Sequence, residues 1–156
     1  MLRVDIQGFG IIELHHFVTD FSGTLAVDGT LLPGIKEKLN ELSNHLTVHI
    51  ITSDTFGKAR EELQGIPCRL QLIEGEHHTR QKETYVKALG ADVVAALGNG
   101  NNDAAMLGAV RLGICICMHE GCSTEALAAS RILVTSPIDA IDLLLNPKRL
   151  IATLRK

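Results

Sequence analysis

No uninterrupted apolar run in these 156 residues reaches the length of a bilayer span, and no signal-peptide pattern opens the chain. We therefore expect a soluble, cytoplasmic protein with no membrane partner. Basic residues are not in excess: the formal net charge is −3, and Lys and Arg are dispersed apart from a short cluster near the C-terminus, which argues against nucleic acid as a partner. A secreted disulfide framework is missing as well. Cys68, Cys115, Cys117 and Cys122 lack its spacing, and Cys115 and Cys117 flank Ile116 in an apolar run where free thiols act as small core residues. His119 and Cys122 lie near them, but no second pair with finger-like spacing completes a soft-metal site. His15/His16 and His77/His78 do not read as ligand pairs, because neighbours on a strand face opposite ways. Internal repeats and low-complexity segments are also absent.

What is present suffices for one core. At 46% hydrophobic, the chain suits a single domain over residues 1–156. Val4 and Ile6 alternate with polar residues, Gly8-Phe9-Gly10 turns the chain, and a second run from Ile11 leads into a strand ending at Asp20, which predicts an N-terminal β-hairpin. Ala26-Val27-Asp28-Gly29-Thr30 offers a tight Asp-Gly turn, a small flap above Asp20. Helices are expected from Pro33 to about Asn44 and from Asp54 or Thr55 to Ile66, the latter with Phe56, Ala59 and Leu63 on its buried stripe. Further helices follow at 79–89, from about Asn102, at 123–129, at 137–145 and from Pro147. Strands at 46–51, 68–73, 92–97, 112–118 and 132–134 alternate with them, so the expected class is α/β, a parallel sheet with helices on both faces.

The chemistry-bearing residues stand where these strands end. Asp20 closes its strand and is followed by Ser22, Gly23 and Thr24; alone, that stretch is either a turn or an active-site carboxylate. Thr52 and the loop from Gly98 to Asp103 follow two other strands, and Lys82 sits in the first turn of a helix that follows a fourth. Singly these read as a helix cap, a polar turn and a solvated lysine. Together they supply a carboxylate, a hydroxyl, an ammonium and a second carboxylate around one crevice. That set suits phosphoryl transfer: Asp20 attacks phosphorus, a divalent ion sits between Asp20 and Asp103, and Thr52 and Lys82 bind phosphoryl oxygens.

DFSGTL at 20–25, TSD at 52–54, Lys82 and GNGNNDAAML at 98–107 resemble, in order, the motifs of the haloacid dehalogenase-like superfamily. The P-type ATPase branch is most similar, with DKTGTL, TGD, a lysine and GDGxNDxxxL. The resemblance spans Phe17 to about Val134. It implies a Rossmann-like fold, a Mg²⁺ cofactor and an aspartyl-phosphate on Asp20. By the same resemblance Asp20 is nucleophile and metal ligand, the Ser22 carbonyl is a second ligand, and Asn99 and Asp103 complete the metal set. Gly23, Thr24, Thr52, Ser53, Lys82 and Asn102 would line the phosphate.

The chain departs from that pattern in three places. Thr24 and Thr52 are only 28 positions apart, and the 30 positions from Thr52 to Lys82 are already filled, so no cap domain or nucleotide-binding insertion fits. An open site then expects a small phosphorylated molecule, a phosphorylated macromolecule, or a second copy of the chain as cover. Ser22 stands where the phosphatases of the superfamily carry an aspartate as general acid and base, so slow turnover that favours good leaving groups is expected. Asn99 replaces another aspartate, which predicts weaker Mg²⁺ binding. The alternative to a slow phosphatase or phosphotransferase is a catalytically inactive phosphate- or Mg²⁺-binding module.

Overall fold

The computed structural model describes residues 1–156. Six parallel strands form the central sheet: β3 (His16–Thr19), β6 (Thr47–Thr52), β7 (Cys68–Leu72), β8 (Val94–Gly98), β9 (Leu112–Ile116) and β10 (Ile132–Val134), in the spatial order β10-β9-β8-β3-β6-β7. The strand order reverses around β3, so the residues following β3, β6 and β8 open onto one crevice at the carboxyl edge.

Alternation along each strand sorts the core into two faces. Phe17, Val48, Ile50, Ala95, Leu97, Ile114 and Ile116 pack to one side, beneath α1 (Ile35–Ser43), α6 (Pro137–Leu145) and α7 (Pro147–Leu154). Val18, Ile51, Val94, Ala96 and Cys115 face the other, beneath α3 (His78–Ala88), α4 (Ala104–Ala109) and α5 (Thr124–Ala129). Helix α1 buries Ile35, Leu39 and Leu42, the stripe its spacing predicts. The expected parallel α/β sheet covered on both faces is the observed one.

Three local expectations need correction. The run from Ile11 to Asp20 is broken at His15: β1 (Leu2–Ile6) and β2 (Gly10–Leu14) form a separate two-stranded sheet. The chain changes partners there, His15 N donating to Val93 O at 2.8 Å and Thr47 N to His15 O at 2.9 Å. The second helix is only one turn, α2 (Ala59–Glu62). Asp54 has φ 51° and accepts the amides of Lys58 at 3.0 Å and Ala59 at 2.9 Å, so residues 54–57 make a turn that delays the helix. Phe56 is consequently 48% exposed rather than buried, and packs beside Gly29 in the flap made by β4 (Ala26–Val27) and β5 (Thr30–Leu31). The strand expected at 112–118 ends at Ile116, because Met118 and Gly121 pair across a tight turn instead.

Nothing is inserted between β3 and β6 beyond the flap and α1, or between β6 and β7 beyond α2, so the crevice has no cap. No helix is long and apolar enough to cross a membrane.

Candidate active site

Asp20 leaves β3 while its own amide still bonds Leu97 O on β8 at 3.0 Å, which fixes its carboxylate beside the β8 loop. Lys82 reaches that carboxylate from α3. Its Nζ lies 3.0 Å from Asp20 Oδ1 and 2.7 Å from Asp103 Oδ1, with the lysine 1% and Asp103 0% exposed. A charge buried this deeply requires partners, and the two carboxylates supply them. The second Asp20 oxygen is less engaged, with the Thr24 hydroxyl at 3.4 Å.

Asp103 is locked in place by its other oxygen. Oδ2 accepts the amides of Asn99 and Gly100, each at 3.0 Å, closing the GNGNND loop on itself. Gly98 permits this fold-back, since a Cβ there would lie 2.5 Å from Asp103 Cγ. The loop was expected to bring Asp103 to a metal. Its Oδ1 faces Lys82 and Asp20, while Oδ2 is held by the loop amides.

Burial is the largest influence on Asp20 and raises its pKa from 3.8 to about 7; the Asp103 carboxylate adds to the rise and Lys82 opposes it. Burial by itself would lower the Lys82 pKa, but Asp20 and Asp103 outweigh it and hold the lysine above its ordinary value. Lys82 is therefore charged at neutral pH, and Asp20 sits at the boundary between its two forms.

The remaining candidates fall around this centre to different degrees. Thr52 is 1% exposed at the end of β6, and its Oγ1 accepts the Asp54 amide at 3.0 Å. Ser53 is exposed and turned to Thr55, with 3.3 Å between their hydroxyls. Ser22, Gly23 and Thr24 form the turn after Asp20, Gly23 N donating to Ala26 O at 2.9 Å and Thr24 N to Phe21 O at 3.2 Å. No backbone amide donates to the Ser22 carbonyl. Asn102 lies in the first helical turn of the loop, half-buried. Asn99 is 8% exposed and donates its side-chain amide to Gly121 O at 3.3 Å, while its Oδ1 has no hydrogen-bond partner.

One residue escaped the sequence reading. Glu120, at the tip of the turn after β9, lays its carboxylate over Gly23: a Cβ added to Gly23 would run into Glu120 Oε2 and lie 3.2 Å from Asn99 Nδ2. The available signal was that β9 is another parallel strand whose end must reach the same edge.

All four cysteines are free; burial pushes the Cys115 thiol up to about 12, and the neighbouring Cys122 raises Cys117. His16 pairs with His49 at 3.1 Å and His49 with the Tyr85 hydroxyl at 2.8 Å, a structural relay beneath α3. A cavity of about 450 Å³ lined by Ile51, Gln71, Arg80 and Tyr85 excludes Asp20, Lys82 and Asp103, so the site is identified by its chemistry rather than by a cleft.

No family model matches the chain. Over 62 residues, 40% of this chain and 67% of the other, it is 47% identical to an uncharacterized protein of Methanocaldococcus jannaschii. Among solved structures it is similar to the 3-deoxy-D-manno-octulosonate 8-phosphate phosphatase of Moraxella catarrhalis, a complex with magnesium ion, phosphate ion and KDO; identity is 18%, coverage 92% of this chain and 95% of that one, and the TM-score 0.71. A putative hydrolase of this superfamily from Legionella pneumophila superposes with a TM-score of 0.73 at 17% identity, over 91% of this chain and 87% of that one. The cobalt-bound phosphatase from Haemophilus influenzae gives 0.72 at 12% identity, over 92% and 94%. The chain thus belongs to one family with the archaeal protein, and its fold is that of the haloacid dehalogenase-like superfamily.

Proposed function

We propose that this chain, acting as one domain, is a slow Mg²⁺-dependent phosphatase or phosphotransferase that captures a phosphoryl group on Asp20. The observation that carries the reading is the buried Asp20–Lys82–Asp103 bridge at the mouth of the parallel sheet. An ionised Asp20 oxygen attacks phosphorus, the bond from phosphorus to the leaving oxygen breaks, and the departing group takes its proton from solvent. Water then attacks the acyl phosphate, the Asp20 oxygen–phosphorus bond breaks, and inorganic phosphate and the carboxylate are released. Lys82 offsets charge on the phosphoryl oxygens, and Asp103 holds Lys82 in register. Thr52 and the amides of Phe21 and Ser22, which donate to no backbone carbonyl, cradle the transferred group.

The donor set fits a hard divalent ion. Asp20, the Ser22 carbonyl and the unpartnered Asn99 Oδ1 offer oxygen only, which suits Mg²⁺, an ion that keeps several waters and takes few protein ligands. No group of three or more His, Cys, Asp or Glu side chains forms a cage, in keeping with a site completed by water and substrate. Bound there, Mg²⁺ would screen the carboxylate from the phosphate and polarise the phosphoryl oxygens. Asp103 Oδ1 accepts from Lys82 alone and keeps a lone pair for the ion, while Oδ2 serves the loop.

Ser22 cannot protonate a leaving group near neutral pH, a loss of about 10² to 10⁴ in rate for poor leaving groups. Aryl phosphates, acyl phosphates and anhydrides are the substrate classes that suffer least. Because the crevice has no cap, it admits a small phosphorylated molecule directly; a second copy or a large phosphorylated partner can also cover it. Hydrolysis of p-nitrophenyl phosphate with Mg²⁺, lost in Asp20→Asn, is the expected result, and activity unchanged in that variant would sink the mechanism. Ser22 and Asn99 also favour a second reading, a binding module without turnover. Mg²⁺-dependent stabilisation by beryllium fluoride in a protein that hydrolyses none of these classes selects it.

A further inference from the structure

Glu120 sits on the turn from Met118 to Gly121, closed by Gly121 N donating to Met118 O at 2.9 Å. This turn is bolted to Asn99 from both sides. Asn99 Nδ2 donates to Gly121 O at 3.3 Å, and Ser123 N donates to Asn99 O at 2.8 Å. The Glu120 carboxylate is thereby carried over the bare Cα of Gly23, the residue whose peptide bond holds the Ser22 carbonyl; a Cβ on Gly23 would sit 2.8 Å from Glu120 Cδ. Gly23 also has φ 74°, so both its backbone and its missing side chain accommodate this approach.

A free carboxylate in that position can take a cation. Glu120 takes part in no ion pair, yet it faces a mouth where Asp20 and Asp103 already share one lysine. Its carboxylate lies uncompensated against Gly23, beside the peptide whose Ser22 carbonyl belongs with Asp20 to the oxygen donor set. Directly beside them, Asn99 is more than nine-tenths buried and has an unpartnered Oδ1.

We propose that Glu120 supplies the negative charge that Asn99 lacks, completing the Mg²⁺ environment from the turn after β9, either as a ligand or through a metal-bound water. The inference rests on the reading that Mg²⁺ binds at Asp20. It also assigns the turn a purpose: the two Asn99 hydrogen bonds position Glu120, so the neutral side chain anchors the charge it does not itself provide.

The test is calorimetric titration of Mg²⁺ into the metal-free full chain, with no substrate present. Glu120→Gln is expected to weaken Mg²⁺ binding by about tenfold to a hundredfold, the range typical of outer-shell carboxylates. Adding Asn99→Asp to Glu120→Gln should restore most of the loss, and Glu41→Gln, on exposed α1, should change nothing. Because Glu120 is exposed on a turn, its replacement leaves the core intact, and an unchanged melting temperature in EDTA confirms that. Binding that is lost in Asp20→Asn but retained in Glu120→Gln would overturn the role of Glu120 and leave the proposed function standing. If the restoring double variant binds no better than Glu120→Gln, the exchange with Asn99 is overturned. Wild-type protein that takes up no Mg²⁺ overturns both.

Discussion

Replacing Asp20 by asparagine should make the metal-free protein more stable while abolishing phosphoryl capture. Burial, aided by Asp103 and opposed by Lys82, carries the Asp20 pKa from 3.8 to about 7. The folded value lies above the unfolded one, so as pH rises from 4 to 7 the unfolded chain loses this proton first. Stability falls through that window and the penalty is constant above it. A carboxyl moved this far costs about 4 kcal/mol once both states are ionised. That figure is already net of Lys82; asparagine matches the neutral carboxyl but buries an amide N–H with no acceptor facing it, a cost of about 1–3 kcal/mol. The net gain is about 2 kcal/mol, which for a chain of this length is a rise of about 4–8 °C in Tm. Scanning calorimetry in EDTA reads it directly. The asparagine variant should melt higher at pH 8, and its advantage should shrink by more than half at pH 5, where wild-type Asp20 is mostly protonated when folded. Millimolar Mg²⁺ should then raise the wild-type Tm and leave the variant unmoved. An asparagine variant that melts below wild type at pH 8, or keeps the same advantage at pH 5, would refute the electrostatic account of Asp20.

Two further outcomes follow from the buried charges. Lys82→Met leaves Asp20 and Asp103 without their shared ammonium, and should cost about 3 to 5 kcal/mol at pH 7 by urea unfolding, with part recovered at pH 5; a loss under about 1 kcal/mol would contradict the bridge. His49 is pulled down from 6.5 to about 4 by burial, then by His16 and Arg69. As pH falls below 6.5 the unfolded chain takes up a proton that the folded His49 refuses, so its contribution is intact above pH 6.5 and about 2 kcal/mol is lost by pH 5. His49→Gln should flatten that part of the urea-stability profile, and a slope identical to wild type would place the titration elsewhere.

Much of this architecture is written in short-range pattern. Val18 and Phe17 point to opposite cores because neighbours on a strand must, and the Ile35, Leu39 and Leu42 spacing makes only one helix face apolar. The Asp28-Gly29 turn and the strand ends at Asp20, Thr52 and Gly98 are likewise local. Where local signals competed, the prediction slipped. Phe56 matched a helical stripe, but the Asp54 carboxylate captured the amides that would have started that helix.

The sequence by itself determined the parallel sheet, the carboxyl edge and the residue types gathered there, because hydrophobic period and turn chemistry act over a few residues. Only the tertiary structure decided how those residues divide the work. Lys82 meets Asp20 across 62 positions and Asp103 across 21, so that one ammonium ties the two carboxylates together. Glu120 comes to rest on Gly23 through hydrogen bonds made to Asn99 by its neighbours in the turn. Such pairings depend on where separate strands place their ends in space, and no local pattern along the chain carries that information.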